Sequence, residues 1–140
     1  MRLIVLLTGT SSDSHTWNLV YMQLLITELG HEVRNLGPCV PDEQMVRAAA
    51  GAPCDLIVMS TVNGHGLVDG ERAVRRLRAE PALRDTPIVI GGKLGVAGTS
   101  RPEEVQSLLD AGFTAVFGDD EVDTALFGSY LDSVAARVSR

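Results

Sequence analysis

The apolar run Leu3-Ile4-Val5-Leu6-Leu7 and the polar stretch Ser11-Ser12-Asp13-Ser14-His15-Thr16-Trp17-Asn18 decide the fold of this chain. An uninterrupted apolar run with β-branched members is typical of a parallel strand that is covered on both faces. Helical spacing begins near Asn18, so the polar stretch is predicted to be the first strand-to-helix loop of an α/β chain. Because open α/β sheets bind ligands at the carboxyl ends of their strands, we expect a ligand site at this loop.

Strand and helix patterns alternate along the rest of the chain. They predict strands at 3–7, 31–36, 55–60, 87–90 and 114–117, and helices at 19–29, 41–50, 68–80 and 102–111, with a last helix from Asp120 or Asp123. Ser100 is expected to cap the fourth helix. With right-handed crossovers, the pattern predicts one α/β domain over residues 1–140. Its fold is flavodoxin-like (Rossmann-like), a five-stranded parallel sheet of order 2-1-3-4-5 with helices on both faces.

The composition limits the class of protein. Hydrophobic residues make up 45% of the chain and the net charge is -6, which argues against a nucleic-acid partner. No apolar run approaches the roughly 20 residues of a membrane span, which argues against a membrane partner. The first run is typical of a strand rather than of a signal peptide, so we expect a cytoplasmic protein.

Two other features are expected to be structural. Cys39 and Cys54 lie beside proline-containing turns without the spacing of a zinc site, and we expect buried free thiols. A local arginine cluster lies among acidic residues and is interpreted as a solvated helix face. Its members are Arg72, Arg75, Arg76 and Arg78.

Asp13 and His15 are the candidate chemical pair of the first loop. In one arrangement the imidazole presents one ring nitrogen outward while the Asp13 carboxylate accepts a hydrogen bond from the other, which suits a metal ligand. In the alternative, Ser12 or Asp13 caps the following helix and His15 is a solvated loop residue. The predicted strand order brings this loop beside Ser60, at the end of the third strand, and beside the Gly91-Gly92 loop.

Three other ligand sites known for such folds fit the sequence less well. Thr8 to Ser12 partly suit a phosphate-binding loop, but the chain continues into Asp-x-His. A receiver domain needs a phosphorylatable Asp at the end of the third strand, where Ser60 stands, although Lys93 lies near the lysine position. A dinucleotide site needs Gly-x-Gly-x-x-Gly after the first strand, and that motif is absent.

The motifs that remain are Asp13-x-His15, Ser60-x-Val62 and Gly91-Gly92, accompanied in chain order by Gly64-x-Gly66 and Gly112-Phe113. On these residues the chain resembles the cobalamin-binding domains of cobalamin-dependent mutases and methyltransferases. It is most similar to the small subunit of glutamate (methylaspartate) mutase. The resemblance covers nearly the whole chain.

The resemblance implies a cobalamin site. His15 would be the lower axial ligand of cobalt, and Asp13 would hydrogen-bond the far nitrogen of its ring. Ser60 would lie beside the displaced nucleotide tail, and Gly91 and Gly92 would leave room for it. The implied cofactor-binding residues are Ser12, Asp13, Ser14, His15, Thr16, Trp17, Ser60, Thr61, Val62, Gly64, Gly91, Gly92, Lys93, Leu94, Gly95, Val96, Ala97 and Phe117.

The implied activity is that of an adenosylcobalamin-dependent isomerase that interconverts glutamate and 3-methylaspartate. In that chemistry the cobalt–carbon bond breaks homolytically and the adenosyl radical abstracts a substrate hydrogen. A separate large TIM-barrel subunit would bind the amino-acid substrate, and this chain alone would be inactive. The alternatives are a corrinoid carrier for methyl transfer and a flavodoxin-like interaction domain that has lost cobalamin.

Trp17 marks a departure from the family, whose motif is Asp-x-His-x-x-Gly. Here Thr16-Trp17-Asn18 follows His15 without a glycine: Asn18 stands at the glycine position, and the large side chain of Trp17 directly precedes it. Either Trp17 packs on the corrin edge or on the partner subunit, or it blocks cofactor binding. His65 is likewise open to two interpretations, a contact of the corrin or partner and a solvated loop residue.

Overall fold

The computed structural model describes residues 2–62, 65–92, 102–118 and 121–138, and only the backbone of 121–124. Strands and helices alternate within these ranges, as the apolar runs and helical spacing predict. The strands are β1 (Ile4–Thr8), β2 (Glu32–Asn35), β3 (Leu56–Thr61), β4 (Ile88–Gly92) and β5 (Ala115–Phe117). The helices are α1 (Trp17–Glu28), α2 (Asp42–Gly51), α3 (Gly66–Arg78), α4 (Pro102–Ala111) and α5 (Glu121–Arg137), with a 3₁₀ turn at Pro81–Leu83.

The five strands form one parallel sheet of order β2-β1-β3-β4-β5, which confirms the predicted flavodoxin-like topology. Thr8 at the end of β1 is in register with Met59 near the end of β3. Ser60 and Thr61 are in register with Gly91 and Gly92 of β4. The carboxyl ends of β1, β3 and β4 therefore meet at the switch point of the sheet.

The core has two layers, one on each face of the sheet. On one face Leu6 and Ile57 pack with residues of α2, α3 and α4, such as Leu77. On the other face Leu7 and Val58 pack with residues of α1 and α5. Alternate residues of one strand point to opposite faces, so the continuous apolar runs of β1 and β3 supply both layers.

The bounds of several elements, α2, α3 and β4 among them, differ by one or two residues from those predicted by the residue pattern. Pro41 is the N-cap of α2 rather than part of its first turn. Helix α3 begins at Gly66, before the predicted start near Val68, and ends at Arg78. Strand β4 continues through Gly91 and Gly92, which had been predicted to follow the strand. The predicted cap Ser100 lies outside the described residues.

Two cysteines correct expectations of burial, and a buried histidine supports β1. Cys39 is exposed rather than buried, and Cys54 is half-buried. His31 is buried, and its Nδ1 accepts a hydrogen bond from the Leu3 amide at 3.1 Å. Burial lowers the pKa of this imidazole and so favours the neutral ring, whose Nδ1 can accept that hydrogen bond. None of the helices within the described ranges is long and apolar enough to cross a membrane.

Candidate cofactor-binding site

Asp13 is the centre of the loop between β1 and α1, residues 9–16, named here the His15 loop. Its carboxylate is 1% exposed and accepts four hydrogen bonds. Oδ1 accepts from the backbone amide of His15 at 3.0 Å and from its ring Nδ1 at 2.8 Å. Oδ2 accepts from the hydroxyl of Thr61 and from the amide of Val62, both at 2.7 Å. One carboxylate thus joins the His15 loop to the end of β3.

These hydrogen bonds decide the charge of Asp13 and the tautomer of His15. Burial alone would raise the pKa of the Asp13 carboxyl, but the bonds from Val62, His15 and Thr61 outweigh burial and lower it below its ordinary value. An ionised carboxylate only accepts, so Nδ1 of His15 carries the proton of their bond. The lone pair then lies on Nε2, as a metal ligand requires. The His15 side chain is 58% exposed, so the ring is accessible.

The backbone of Asp13 is also held from the side of β2. Its carbonyl accepts a hydrogen bond from the Cys39 amide at 2.9 Å. Cys39 has a φ of 52°, in the left-handed region that non-glycine residues rarely adopt. The loop that follows β2 therefore supports the His15 loop at the cost of local backbone strain.

A cavity of about 210 Å³ lies between the sheet and helices α1 and α5. It adjoins the hydrogen-bond cluster of Asp13 through Val62, which lines the cavity and donates its amide to that carboxylate. Its walls are mostly apolar, with few polar groups. The lining residues are Asn18, Tyr21, Met22, Leu25, Val58, Met59, Ser60, Val62, Val89, Ile90, Gly91, Gly92, Phe117, Gly118 and Phe127. A mostly apolar cavity with a few polar groups is typical of a small-molecule or cofactor site. We call it the α1/α5 slot.

Asn18 and Ser60 supply polar groups to the slot. Nδ2 of Asn18 donates a hydrogen bond to Oγ of Ser60 at 3.0 Å, so Ser60 keeps its own proton for a second partner. Oδ1 of Asn18 is buried and has no hydrogen-bond partner among the described residues. A buried acceptor without a donor costs about 1–3 kcal/mol. An unsatisfied polar atom beside a cavity indicates a site that a ligand completes.

Gly91 and Gly92 both line the slot. At Gly92 a glycine is required by the close approach of the protein's own backbone. Gly92 has a φ of 105°, and a Cβ there would lie 2.1 Å from the carbonyl oxygen of Thr61. Only glycine fits that approach of β4 to β3. A Cβ on Gly91 would lie 3.4 Å from the Phe117 carbonyl oxygen, which is ordinary contact. Gly91 is thus the glycine whose missing side chain leaves space in the slot.

Trp17 does not close the slot. It is the first residue of α1, its side chain is 82% exposed, and it is absent from the slot lining. Asn18, the next residue, faces the slot instead. Tyr21 and Leu24 follow on α1 and are also largely exposed. Blockage by Trp17, the reason for proposing that the chain has lost cobalamin, is therefore not what the geometry shows.

The predicted site residues fall into four groups. Asp13, His15, Thr61 and Val62 share one hydrogen-bond cluster, while Ser60, Val62, Gly91, Gly92 and Phe117 line the slot. Ser14 and Thr16 are exposed, and Ser12 hydrogen-bonds Asp69. Gly64, Lys93, Leu94, Gly95, Val96 and Ala97 lie outside the described residues.

The sequence pattern missed the helical wall of the slot. Asn18, Tyr21, Met22 and Leu25 recur at the spacing of one helix face and could have been assigned to the slot from that signal. Phe127 of α5 carries no comparable signal, because its approach depends on how α5 packs. Asp69 and Arg72 of α3, which contact the His15 loop, were also missed.

Comparison with known proteins agrees with this geometry. The B12 binding domain family matches residues 3–126. The chain belongs to this family. It is 31% identical over 118 residues to a glutamate mutase sigma subunit from Treponema denticola, covering 83% of this chain and 84% of that protein. It is 29% identical over 118 residues to a glutamate mutase sigma subunit from Carboxydothermus hydrogenoformans, covering 84% and 85%. The predicted resemblance to the small subunit of glutamate mutase is confirmed.

The fold likeness extends to solved structures. A cobalamin-binding protein from Desulfitobacterium hafniense superposes with a TM-score of 0.66 at 22% identity. The match covers 83% of this chain and 53% of that chain. It supports the flavodoxin-like fold independently of the sequence relatives.

Proposed function

We propose that this chain is the cobalamin-binding subunit of an adenosylcobalamin-dependent carbon-skeleton mutase of the glutamate to 3-methylaspartate type. The observation that carries the proposal is the Asp13–His15 pair beside the α1/α5 slot. One ring nitrogen of His15 keeps a free lone pair on an exposed side chain, and Val62, whose amide holds Asp13, lines the slot. Family membership and the sigma-subunit relatives support the same function.

His15 is the proposed lower axial ligand of cobalt, through Nε2. The hydrogen bond from Nδ1 to an ionised Asp13 holds the ring orientation and raises the basicity of the ligating nitrogen. Because Asp13 is itself held by Thr61 and Val62, the ring position is fixed by β3 as well as by its own loop. Any bound metal thus meets a ligand whose tautomer is already set.

The α1/α5 slot is the proposed place of the nucleotide tail that His15 displaces. Ser60 can donate its proton to a ring nitrogen of that tail, since Asn18 already donates to its oxygen. Val62 and Phe117 supply apolar contact. The polar and apolar groups of the slot therefore fit a benzimidazole-type base.

Adenosylcobalamin supplies radical chemistry when it is bound, and this chain binds and orients it. The substrate is proposed to bind mainly to a separate large subunit, a TIM barrel by family resemblance. The sigma-subunit names of the relatives support a multi-subunit assembly. In this proposal the isolated chain has no mutase activity.

An absorbance titration of the purified chain with hydroxocobalamin tests the proposal. We expect the wild type to bind with the spectrum of base-displaced, histidine-ligated cobalamin, and His15→Ala to lose that spectrum. His65→Ala is the matched control, since His65 is an exposed histidine directly before α3. If His65→Ala lost the spectrum and His15→Ala kept it, the cobalt ligand would be His65 and the role proposed for His15 would be wrong.

Electron paramagnetic resonance identifies the ligand atom directly. The chain is grown with histidine labelled with the heavier nitrogen isotope and loaded with reduced, paramagnetic cobalamin. Ligation by a protein nitrogen changes the nuclear splitting pattern, whereas ligation by the cofactor's own base leaves it unchanged. An unchanged pattern in the labelled wild type would contradict the role of His15.

A further inference from the structure

Two residues of α3, Asp69 and Arg72, contact the His15 loop from the face of the sheet opposite the α1/α5 slot. The hydroxyl of Ser12 donates a hydrogen bond to Oδ2 of Asp69. Nη2 of Arg72 donates to the hydroxyl of Ser11 at 2.7 Å. Nη1 of Arg72 donates to Oδ1 of Asp69 at 3.1 Å, which joins the two contacts.

We propose that Asp69 and Arg72 are positioning residues that hold the His15 loop in its cofactor-receiving conformation before any cofactor arrives. The inference rests on the proposed function for its purpose, but the loop contacts themselves do not depend on it. Within the part of the chain that the structure describes, neither residue lines the slot or hydrogen-bonds His15. They act through Ser11 and Ser12, the two residues that precede Asp13.

The guanidinium of Arg72 is well fixed. Nε donates to Oδ2 of Asp42 on α2 at 2.7 Å, so the fork bridges α2, α3 and the His15 loop. The hydrogen bond to Asp42, and with it that to Asp69, raises the pKa of Arg72, which keeps it charged. A planar fork with several donors holds such a three-way contact, and a lysine ammonium does not.

The loop is tethered at three consecutive residues. Ser11 and Ser12 are tied to α3, and Asp13 is tied to β3 and to the amide of Cys39. Beyond Asp13, the ring and amide of His15 are attached to Asp13 itself. Fixing Ser11 and Ser12 therefore restricts Asp13, the next residue along the chain, and Asp13 in turn holds His15 through its hydrogen bonds. A binding-competent loop lowers the entropy lost on binding, and an apparent dissociation constant scales inversely with the competent fraction.

Arg76 offers a matched control on the same helix. It makes a two-point ion pair with Glu43 of α2, at 2.6 and 3.0 Å, much as Arg72 pairs with Asp42. Among the residues that the structure describes, its hydrogen bonds do not include the His15 loop. Arg76→Gln thus removes an α2–α3 ion pair without removing a loop contact.

The first experiment measures amide hydrogen exchange in the free chain. The reporters are the amides of His15, Cys39 and Val62, which all donate to Asp13. We expect Arg72→Gln to speed their exchange by about tenfold and Arg76→Gln to leave it unchanged, with core amides of β3 unaltered in both. Equal exchange at the reporters in the two variants would overturn the inference, whatever the chain binds.

The second experiment measures hydroxocobalamin binding by stopped-flow absorbance. We expect Arg72→Gln and Asp69→Asn to raise the apparent dissociation constant about tenfold. The increase should come from slower association, and the spectrum of the bound cofactor should be unchanged. Arg72→Lys should rescue little, and Arg76→Gln should match the wild type. Slow association without faster exchange would overturn positioning. No binding by the wild type would overturn the proposed function, while the exchange data still decide the loop contacts.

Discussion

Replacing Asp13 with asparagine tests the central hydrogen-bond cluster with a change of one atom. The carboxylate accepts four bonds, and an amide accepts at only one of its two positions. If the amide oxygen stays with His15, the NH₂ group faces the Thr61 hydroxyl and the Val62 amide. Thr61 can reverse its bond, but the Val62 N–H cannot.

The magnitude follows from that count. The Val62 amide loses a charge-assisted acceptor and is left facing another donor, and the Thr61 bond becomes weaker. Hydrogen bonds to charged groups contribute about 1.5–3 kcal/mol each, so we expect Asp13→Asn to lower the free energy of unfolding by about 2–4 kcal/mol. The opposite amide orientation leaves the His15 amide unpaired, at similar cost. For a domain of ordinary stability, roughly 5–15 kcal/mol, this is a large fraction.

Urea unfolding followed by far-ultraviolet circular dichroism measures the difference. Asp110→Asn is the control, because Asp110 is an exposed carboxylate on α4 that accepts a bond from Gln106 at 2.8 Å. That substitution should change stability by less than about 0.5 kcal/mol. A loss below about 1 kcal/mol for Asp13→Asn would refute the reasoning, since buried donors left facing an NH₂ group must cost more.

Three further predictions follow from the same geometry. The pKa of the Asp13 carboxyl is lowered on folding, so its stabilisation is complete above the unfolded value of about 3.9 and is lost as pH falls through the lower folded value. Acid titration of unfolding should show wild type losing stability below about pH 4 more steeply than Asp13→Asn. Gly92→Ala should destabilise by at least about 2 kcal/mol more than Gly30→Ala in urea, because both have positive φ and only Gly92 meets a backbone oxygen. Trp17→Ala should leave stability within about 0.5 kcal/mol and cobalamin binding intact by titration, because Trp17 is exposed and outside the slot; lost binding would place Trp17 against the cofactor.

The parts of the site that lie on strand ends could be predicted from the sequence. Apolar runs identify the strands, and strand order brings Asp13, Ser60 and Gly91 to one edge. The Asp13–His15 contact follows from a two-residue spacing, which leaves little freedom for another partner. These inferences are local, or depend only on topology, and both kinds of information are present in the residue pattern.

Contacts between side chains of different helices and loops could not be predicted from the sequence. Arg72 was interpreted as part of a solvated helix face, yet it contacts α2 and the His15 loop. Arg78 is half-buried and donates to backbone carbonyls, including that of Gly112 at 3.0 Å. The sequence of an arginine-rich helix is the same whether the guanidinium groups face solvent or face carbonyl and carboxylate groups of the protein. Cys39 was wrongly expected to be buried for a similar reason: its amide donates to the Asp13 carbonyl, a contact between two loops that residue spacing does not reveal.

The two faces of the sheet contribute differently around the His15 loop: one face forms the slot and the other supplies the contacts that hold the loop. The slot lies on the α1 and α5 face, where Val58, Ser60 and Val62 point together at every second residue. The Arg72 and Asp69 contacts lie on the α2 and α3 face. Because the loop follows β1 at the switch point, it is reachable from both faces, and support from α3 takes no space from a ligand on the α1 side.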